Sequence, residues 1–139
     1  SAEARAVAGL VLDAPLFDPG AVVDADGRAH NVPGLIVGWA KGLATLRWGV
    51  DWGALNQVAR TEDFEVPILL FHGDVDAVAP VSVSDRFAAA LPDLVRYERV
   101  SGAGHGACWN ADPARYEAAL AAFMEEVAAG PAPAPAPGT

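Results

Sequence analysis

The segment Val66-Pro67-Ile68-Leu69-Leu70-Phe71-His72-Gly73 constrains this chain more than any other. It is a continuous apolar run with no polar–apolar alternation. A strand with one wet face alternates, whereas a strand covered on both faces does not. The run therefore reads as a buried strand of a parallel sheet, with Pro67 tolerable near its first residue. Val7-Ala8-Gly9-Leu10-Val11-Leu12, stopped by Asp13-Ala14-Pro15, reads as a second short strand buried on both faces. Leu94 to Val100 is a third, and Arg96, Glu98 and Arg99 give it the half-polar pattern of a sheet edge. Strands alternating with helices imply an α/β fold: a parallel sheet of about three strands, joined by right-handed crossovers and flanked by helices.

The connection between the first two strands is far longer than the dozen or so residues a crossover needs. Asp18-Pro19-Gly20 and Asp26-Gly27 mark residues 16–33 as turns and loops. From Gly34 to about Trp48, Leu35, Trp39, Leu43 and Leu46 recur at helical spacing, which predicts an amphipathic helix. Gly34, Gly38 and Gly42 form a small-residue stripe suited to close helix packing. The segment is too short to span a membrane and contains Lys41 and Arg47. Asp51 is placed to cap a short helix reaching about Val58, and Thr61-Glu62-Asp63 reads as a polar connection. An inserted cap over residues 16–63 accounts for the length, because the C-terminal sheet edge is where α/β proteins bind ligands.

Ser82 and Asp85 have the spacing of a capping box. They would open a helix with Val83, Phe87, Ala90 and Leu91 on its apolar face. Ser101 to Asn110 reads as a glycine-rich loop. Asp112 caps a last helix with Pro113 at its first position. Tyr116, Leu120, Phe123 and Val127 form its buried stripe, and Gly130 closes it. Residues 131–139, rich in Pro and Ala, read as an extended, solvated tail.

Composition narrows the function. The chain has 139 residues, enough for one domain, and 53% of them are hydrophobic, which excludes a disordered chain. Its net charge of −9 argues against nucleic acid and against an anionic membrane surface as partners. One cysteine can make neither an internal disulfide nor a multi-cysteine zinc site, which allows a reduced compartment. Ser1 to Arg5 show no signal-peptide pattern, and a cytoplasmic location is the expectation.

Two loops carry the candidate chemistry. His72-Gly73-Asp74-Val75-Asp76-Ala77-Val78-Ala79-Pro80 follows the strongest strand. Gly102-Ala103-Gly104-His105-Gly106 follows the next one. Adjacent parallel strands put both loops on one sheet edge. An Asp there can accept a hydrogen bond from an imidazole Nδ1–H, fixing the tautomer and stabilising the imidazolium.

With these residues the chain resembles the α/β-hydrolase superfamily over roughly residues 6–128. The shared pattern is strand, H-G-x-x-D-x-x-x-P, helix, strand, G-x-G-H, loop, D-P and a final helix. The strand ending Leu12-Asp13-Ala14-Pro15 resembles the family strand that follows the nucleophile-bearing helix, and the long insertion resembles its cap. The resemblance implies Asp76 as triad acid and His105 as triad base. It also implies an esterase-, lipase- or peptidase-like hydrolase acting on a small ester, amide or peptide-like substrate, with no cofactor and no metal.

The family's chain order places the nucleophile before the acid. No G-x-S-x-G is present, and none of Ser1, Ser82, Ser84 and Ser101 sits on a strand–turn–helix elbow. Residues 1–130 are therefore expected to be the C-terminal part of such a domain. The missing N-terminal half would supply a Ser, Cys or Asp nucleophile, and the first residue, which is not Met, reads as a truncation mark.

Rival assignments remain. Asp74 could be the acid, although a solvated loop role fits its position better, and Asp13 stands where some of these hydrolases carry theirs. His72 would anchor its loop by hydrogen bonds. Cys108 could be an activated thiol or an ordinary loop residue. His72, Asp74, Asp76 and His105 could hold a metal, but match no zinc signature. Trp39, Trp48 and Trp52 either line an apolar pocket or pack the cap onto the sheet, and Trp109 has the same ambiguity. The alternative function is a non-catalytic remnant or interaction domain whose edge at Val7–Leu12 pairs with another polypeptide.

Overall fold

In chain order the elements are β1 (Leu10–Asp13), α1 (Pro19–Ala29), α2 (Gly34–Trp48), β2 (Ile68–Gly73), α3 (Val81–Ala90), β3 (Val95–Val100), α4 (Cys108–Ala111) and α5 (Pro113–Ala129). Single 3₁₀ turns lie at Gln57–Ala59 and Thr61–Asp63. The structure is a computed structural model, and it describes residues 7–130. The tail expected at 131–139 lies outside the described residues. The strands form one parallel sheet in the order β1-β2-β3, as an α/β fold requires. Ile68 pairs with Leu10 on one side and with Val95 on the other.

Every residue of β2 is buried, as its unbroken apolar run demands. Its side chains alternate between two cores. Leu69 and Phe71 join Val100, Ala103, Cys108, Ala119 and Phe123. Ile68 and Leu70 join Phe17, Val83 and Phe87. The α5 stripe forms as its spacing predicts, with Tyr116 stacked on Phe71 at 3.9 Å between ring centroids. The Asp112 side chain accepts the Arg115 amide proton at 3.1 Å, capping α5 with Pro113 in its first turn.

β1 is not buried on both faces. It spans only Leu10–Asp13, and Val11 is 40% exposed, on the face opposite Leu10 and Leu12, which pack against the core of Ile68 and Leu70.

Residues 16–33 are not all loop, because α1 occupies Pro19–Ala29. Asp18-Pro19-Gly20 is a helix start rather than a turn. Asp18 accepts the Ala21 amide proton at 2.9 Å, and Pro19 sits where a helix tolerates a missing N–H. The 51–58 helix does not form either. The Asp51 carboxylate accepts from the Ala54 amide at 3.0 Å and closes a turn. Asn56 then caps the 3₁₀ turn by accepting from Val58 and Ala59.

The Ser82/Asp85 capping box is absent. α3 begins at Val81, straight after Pro80, so Ser82 lies inside the first turn. Asp85 instead accepts from the Tyr97 hydroxyl at 2.9 Å and pairs with Arg99 at 3.2 Å. Ala90 is exposed, and Ser84 takes a buried place on that helix. The loop over 101–110 contains the start of α4.

α2 has the expected bounds but packs the opposite way round. Leu35, Trp39, Leu43 and Leu46 are 76%, 77%, 59% and 84% exposed, whereas Val37 is buried. α1 decides this. Gly27 leaves a notch that Val37 fills, and Asp24 pairs with Lys41 at 3.1 Å. Both favourable contacts lie on one face of α2, opposite its apolar stripe. The glycine stripe is not a packing face among the described residues: a Cβ added at Gly34, Gly38 or Gly42 meets nothing within 4 Å.

The same substitution is expected to have opposite outcomes in these two neighbouring helices. Gly→Ala inside a helix gains about 1 kcal/mol of propensity. At Gly38 nothing opposes that gain, so Gly38→Ala raises stability by about 1 kcal/mol. At Gly27 the new Cβ would lie 2.6 Å from Val37 Cγ2. Overpacking costs about 1–3 kcal/mol, and the β-branched Val37 has little rotamer freedom. Gly27→Ala is therefore expected to lower stability. Urea denaturation of both variants measures the two signs.

Candidate active site

Parallel pairing brings the segments after β2 and β3 to the same sheet edge, and Gly73 lets them touch. A Cβ at Gly73 would lie 2.0 Å from the Ala103 carbonyl oxygen, so only glycine fits. Backbone bonds then seal the contact. The Asp74 amide donates to the Val100 carbonyl at 3.1 Å, and the Val75 amide to the Ala103 carbonyl at 3.3 Å. Gly102 and Gly106, both with φ in the left-handed region, turn the chain on either side of His105.

The structure brings Asp76 and His105 together. Asp76 Oδ1 accepts the Val78 and Ala79 amide protons, each at 2.8 Å. Its Oδ2 lies 2.9 Å from His105 Nδ1. A carboxylate oxygen accepts, so Nδ1 carries the proton in this pair. The Asp76 side chain is fully buried, while that of His105 is 39% exposed. Burial pushes the Asp76 carboxyl up. The hydrogen bonds from His105, Ala79 and Val78, with the His105 charge, outweigh it and hold the group below its ordinary value of 3.8.

The rivals go elsewhere. Asp74 is tied into the loop contact, with its Oδ1 accepting the Gly102 amide proton at 2.7 Å. That lock between the loops had no signal in the sequence beyond the spacing of the two motifs. Asp13 stands at the end of β1 with a buried Oδ1 that has no partner among the described residues. Ala14, next to it, adopts φ 50°, a strained backbone for a non-glycine residue.

Cys108 is fully buried at the start of α4. Burial first, and then the neighbouring Asp13 carboxyl, push its thiol up to about 12, so it is not an activated thiolate. His72 and His105 both face Asp76 Oδ2, whereas Asp74 turns to the Gly102 amide, so the four do not form one ligand set. Among the described residues no group of three or more His, Cys, Asp or Glu side chains is placed to hold a metal ion.

His72 is buried and bonds the Ala79 carbonyl through Nε2 at 3.0 Å. Its Nδ1 meets Ser84 Oγ at 2.7 Å, a partnership that sequence reasoning missed. The available signal was positional, since Ser84 sits beside Val83 on the buried face of α3.

Trp39 and Trp48 are largely exposed, so neither packs onto the sheet. Trp52 lies under Lys41, with Nζ 5.5 Å from the ring centroid, and donates to the Lys41 carbonyl at 3.3 Å. Trp109 is half-exposed and donates to Glu117 at 3.1 Å.

Among solved structures the fold is similar to that of an esterase from Pyrococcus furiosus, with a TM-score of 0.61 and 17% sequence identity. The match covers 88% of this chain and 46% of that one, so the chain spans about half the length of that esterase. No protein-family model matches the sequence, and no curated protein matches it in sequence. The three-stranded parallel sheet with flanking helices is thus an arrangement shared with an esterase fold. No helix among the described residues is long and apolar enough to cross a membrane.

Proposed function

We infer that this chain carries the acid–base half of a hydrolytic site of the α/β-hydrolase type, with Asp76 as acid and His105 as base. The observation that carries the reading is the 2.9 Å contact between Asp76 Oδ2 and His105 Nδ1, made by a buried carboxylate and a partly exposed imidazole. With Nδ1–H donated to Asp76, Nε2 is left with its lone pair free to accept a proton. No described side chain hydrogen-bonds Nε2.

His105 would remove the proton from a nucleophile, and Asp76 would stabilise the imidazolium that forms. The imidazolium would then protonate the leaving group. Ser84 faces His72, and Cys108 is a buried thiol, so neither serves His105. In this reading the nucleophile is a serine and belongs to sequence outside these 139 residues. The reaction is acyl transfer to water from a small ester, amide or peptide-like substrate. Residues 16–63 are the cap, and the exposed apolar face of α2 gives it the chemistry to hold an acyl group.

A fluorophosphonate probe tests this. The 139-residue chain alone is expected to stay unlabelled. The protein extended upstream of Ser1 by its native sequence is expected to label, and to lose labelling with His105→Ala. Labelling that survives His105→Ala, or an extended protein that never labels, overturns the assignment.

A further inference from the structure

We propose that His72 is a positioning residue for the Asp76–His105 pair, and that the Ser84 hydroxyl holds it in that role. The proposal rests on the assignment of Asp76 as acid and His105 as base. Both His72 and Ser84 are completely buried, one at the end of β2 and the other on α3. A buried polar group without partners costs about 1–3 kcal/mol, and the same face of β2 carries Ile68 and Leu70. An apolar residue would pack there at no such cost. Instead each polar atom is used, and the chain of contacts ends on the acid.

The proton positions are set by the acceptors. The Ala79 carbonyl, 3.0 Å from His72 Nε2, can only accept, so Nε2 carries a hydrogen. Nδ1 is then the acceptor, and the Ser84 hydroxyl 2.7 Å away donates to it. Nε2 also lies 3.3 Å from Asp76 Oδ2, an electrostatic contact beside its hydrogen bond to Ala79. Oδ2 thus has His105 on one side and His72 on the other, while the two amides hold Oδ1. Ala79 closes the ring: its amide binds Oδ1 and its carbonyl binds His72. The carboxylate cannot rotate about its Cβ–Cγ bond without breaking these contacts.

Ser84 enters because imidazole has two neutral tautomers. The other tautomer would put the Nε2 lone pair against the Ala79 carbonyl and Oδ2, repelling both. A hydroxyl donating to Nδ1 selects against it.

The test is imidazole ¹⁵N–¹H NMR on the ¹⁵N-labelled 139-residue chain, which needs no activity. In the wild type His72 is expected as the Nε2–H tautomer, with a resolved, slowly exchanging His105 Nδ1–H. Ser84→Ala is expected to shift His72 toward the Nδ1–H tautomer. It should also speed exchange of the His105 Nδ1–H by roughly tenfold, the scale of one net hydrogen bond. Ser84→Thr, which keeps the hydroxyl, is expected to restore both signals.

A folded Ser84→Ala protein with both signals unchanged overturns the proposal. So does a wild-type His72 in the Nδ1–H form, a result that stands even if the variant fails to fold. Failure of the extended protein to react with the probe would overturn the hydrolase reading and leave the NMR result intact.

Discussion

Gly73→Ala is expected to destabilise the chain by about 3 kcal/mol or more, at the upper end of what overpacking costs. The new Cβ would lie 2.0 Å from the Ala103 oxygen and 2.5 Å from its carbonyl carbon. Both are backbone atoms, so no rotamer change relieves the clash. The loop after β3 must move away from β2, and that motion stretches the Asp74–Val100 backbone bond and the Asp74–Gly102 bond. It also separates His105 from Asp76, because each rides on one of the two displaced segments. Denaturant unfolding measures the loss, and hydrogen exchange at the Gly102 amide shows whether the contact opens. An unchanged midpoint with a protected Gly102 amide would show that the close approach is not needed.

The second large effect is on catalysis in the extended protein. Asp76→Asn is expected to lower kcat by about 10⁴, the scale seen when a triad acid becomes its amide. An Asn in that place can still accept the Val78 and Ala79 amide protons through its oxygen. Its NH₂ then faces His105 Nδ1, favours the tautomer with the proton on Nε2, and removes the base. Asp74→Asn is expected to change kcat by only a few-fold, since its amide oxygen still accepts from Gly102. Steady-state kinetics on an ester substrate separates the two. A larger loss at Asp74 than at Asp76 would reverse the choice of acid.

Asp76→Asn also has a signature in acid. The folded-state group is held below its ordinary value of 3.8, so the ionised form stabilises the fold. That contribution is complete above 3.8 and is lost as pH falls through the lower folded value. An acid titration of the wild type is expected to show this loss below pH 3.8, and Asp76→Asn to remove it.

The parts of the fold that were legible in the sequence are those where one local pattern had a single physical solution. β2 is one, because an unbroken apolar run ending at Gly73 is stable only when covered on both faces. α5 is another, because Asp112, Pro113 and the stripe from Tyr116 to Val127 all ask for the same helix. α1 was hidden because Asp18-Pro19-Gly20 serves equally as a turn and as a helix start. The choice between them lies with the residues after Gly20, and among these Gly27 argued for a loop. Only the Val37 side chain, brought in by α2, explains why a glycine sits inside that helix.

By itself the sequence determined the fold class, a parallel α/β sheet. It also placed the two candidate site motifs on one sheet edge, because parallel neighbours present the ends of their strands together. Spacing on the loop left both Asp74 and Asp76 within reach of His105, and only the family resemblance favoured Asp76. The tertiary structure turns Asp76 to His105 and Asp74 to Gly102. It alone decided that Ser84 and His72 meet across the α3–β2 interface. It also turned the apolar stripe of α2 outward, because the Asp24–Lys41 ion pair and the Gly27 notch lie on the opposite face. Periodicity shows that a helix has faces; what packs on each is set by neighbours distant in the chain.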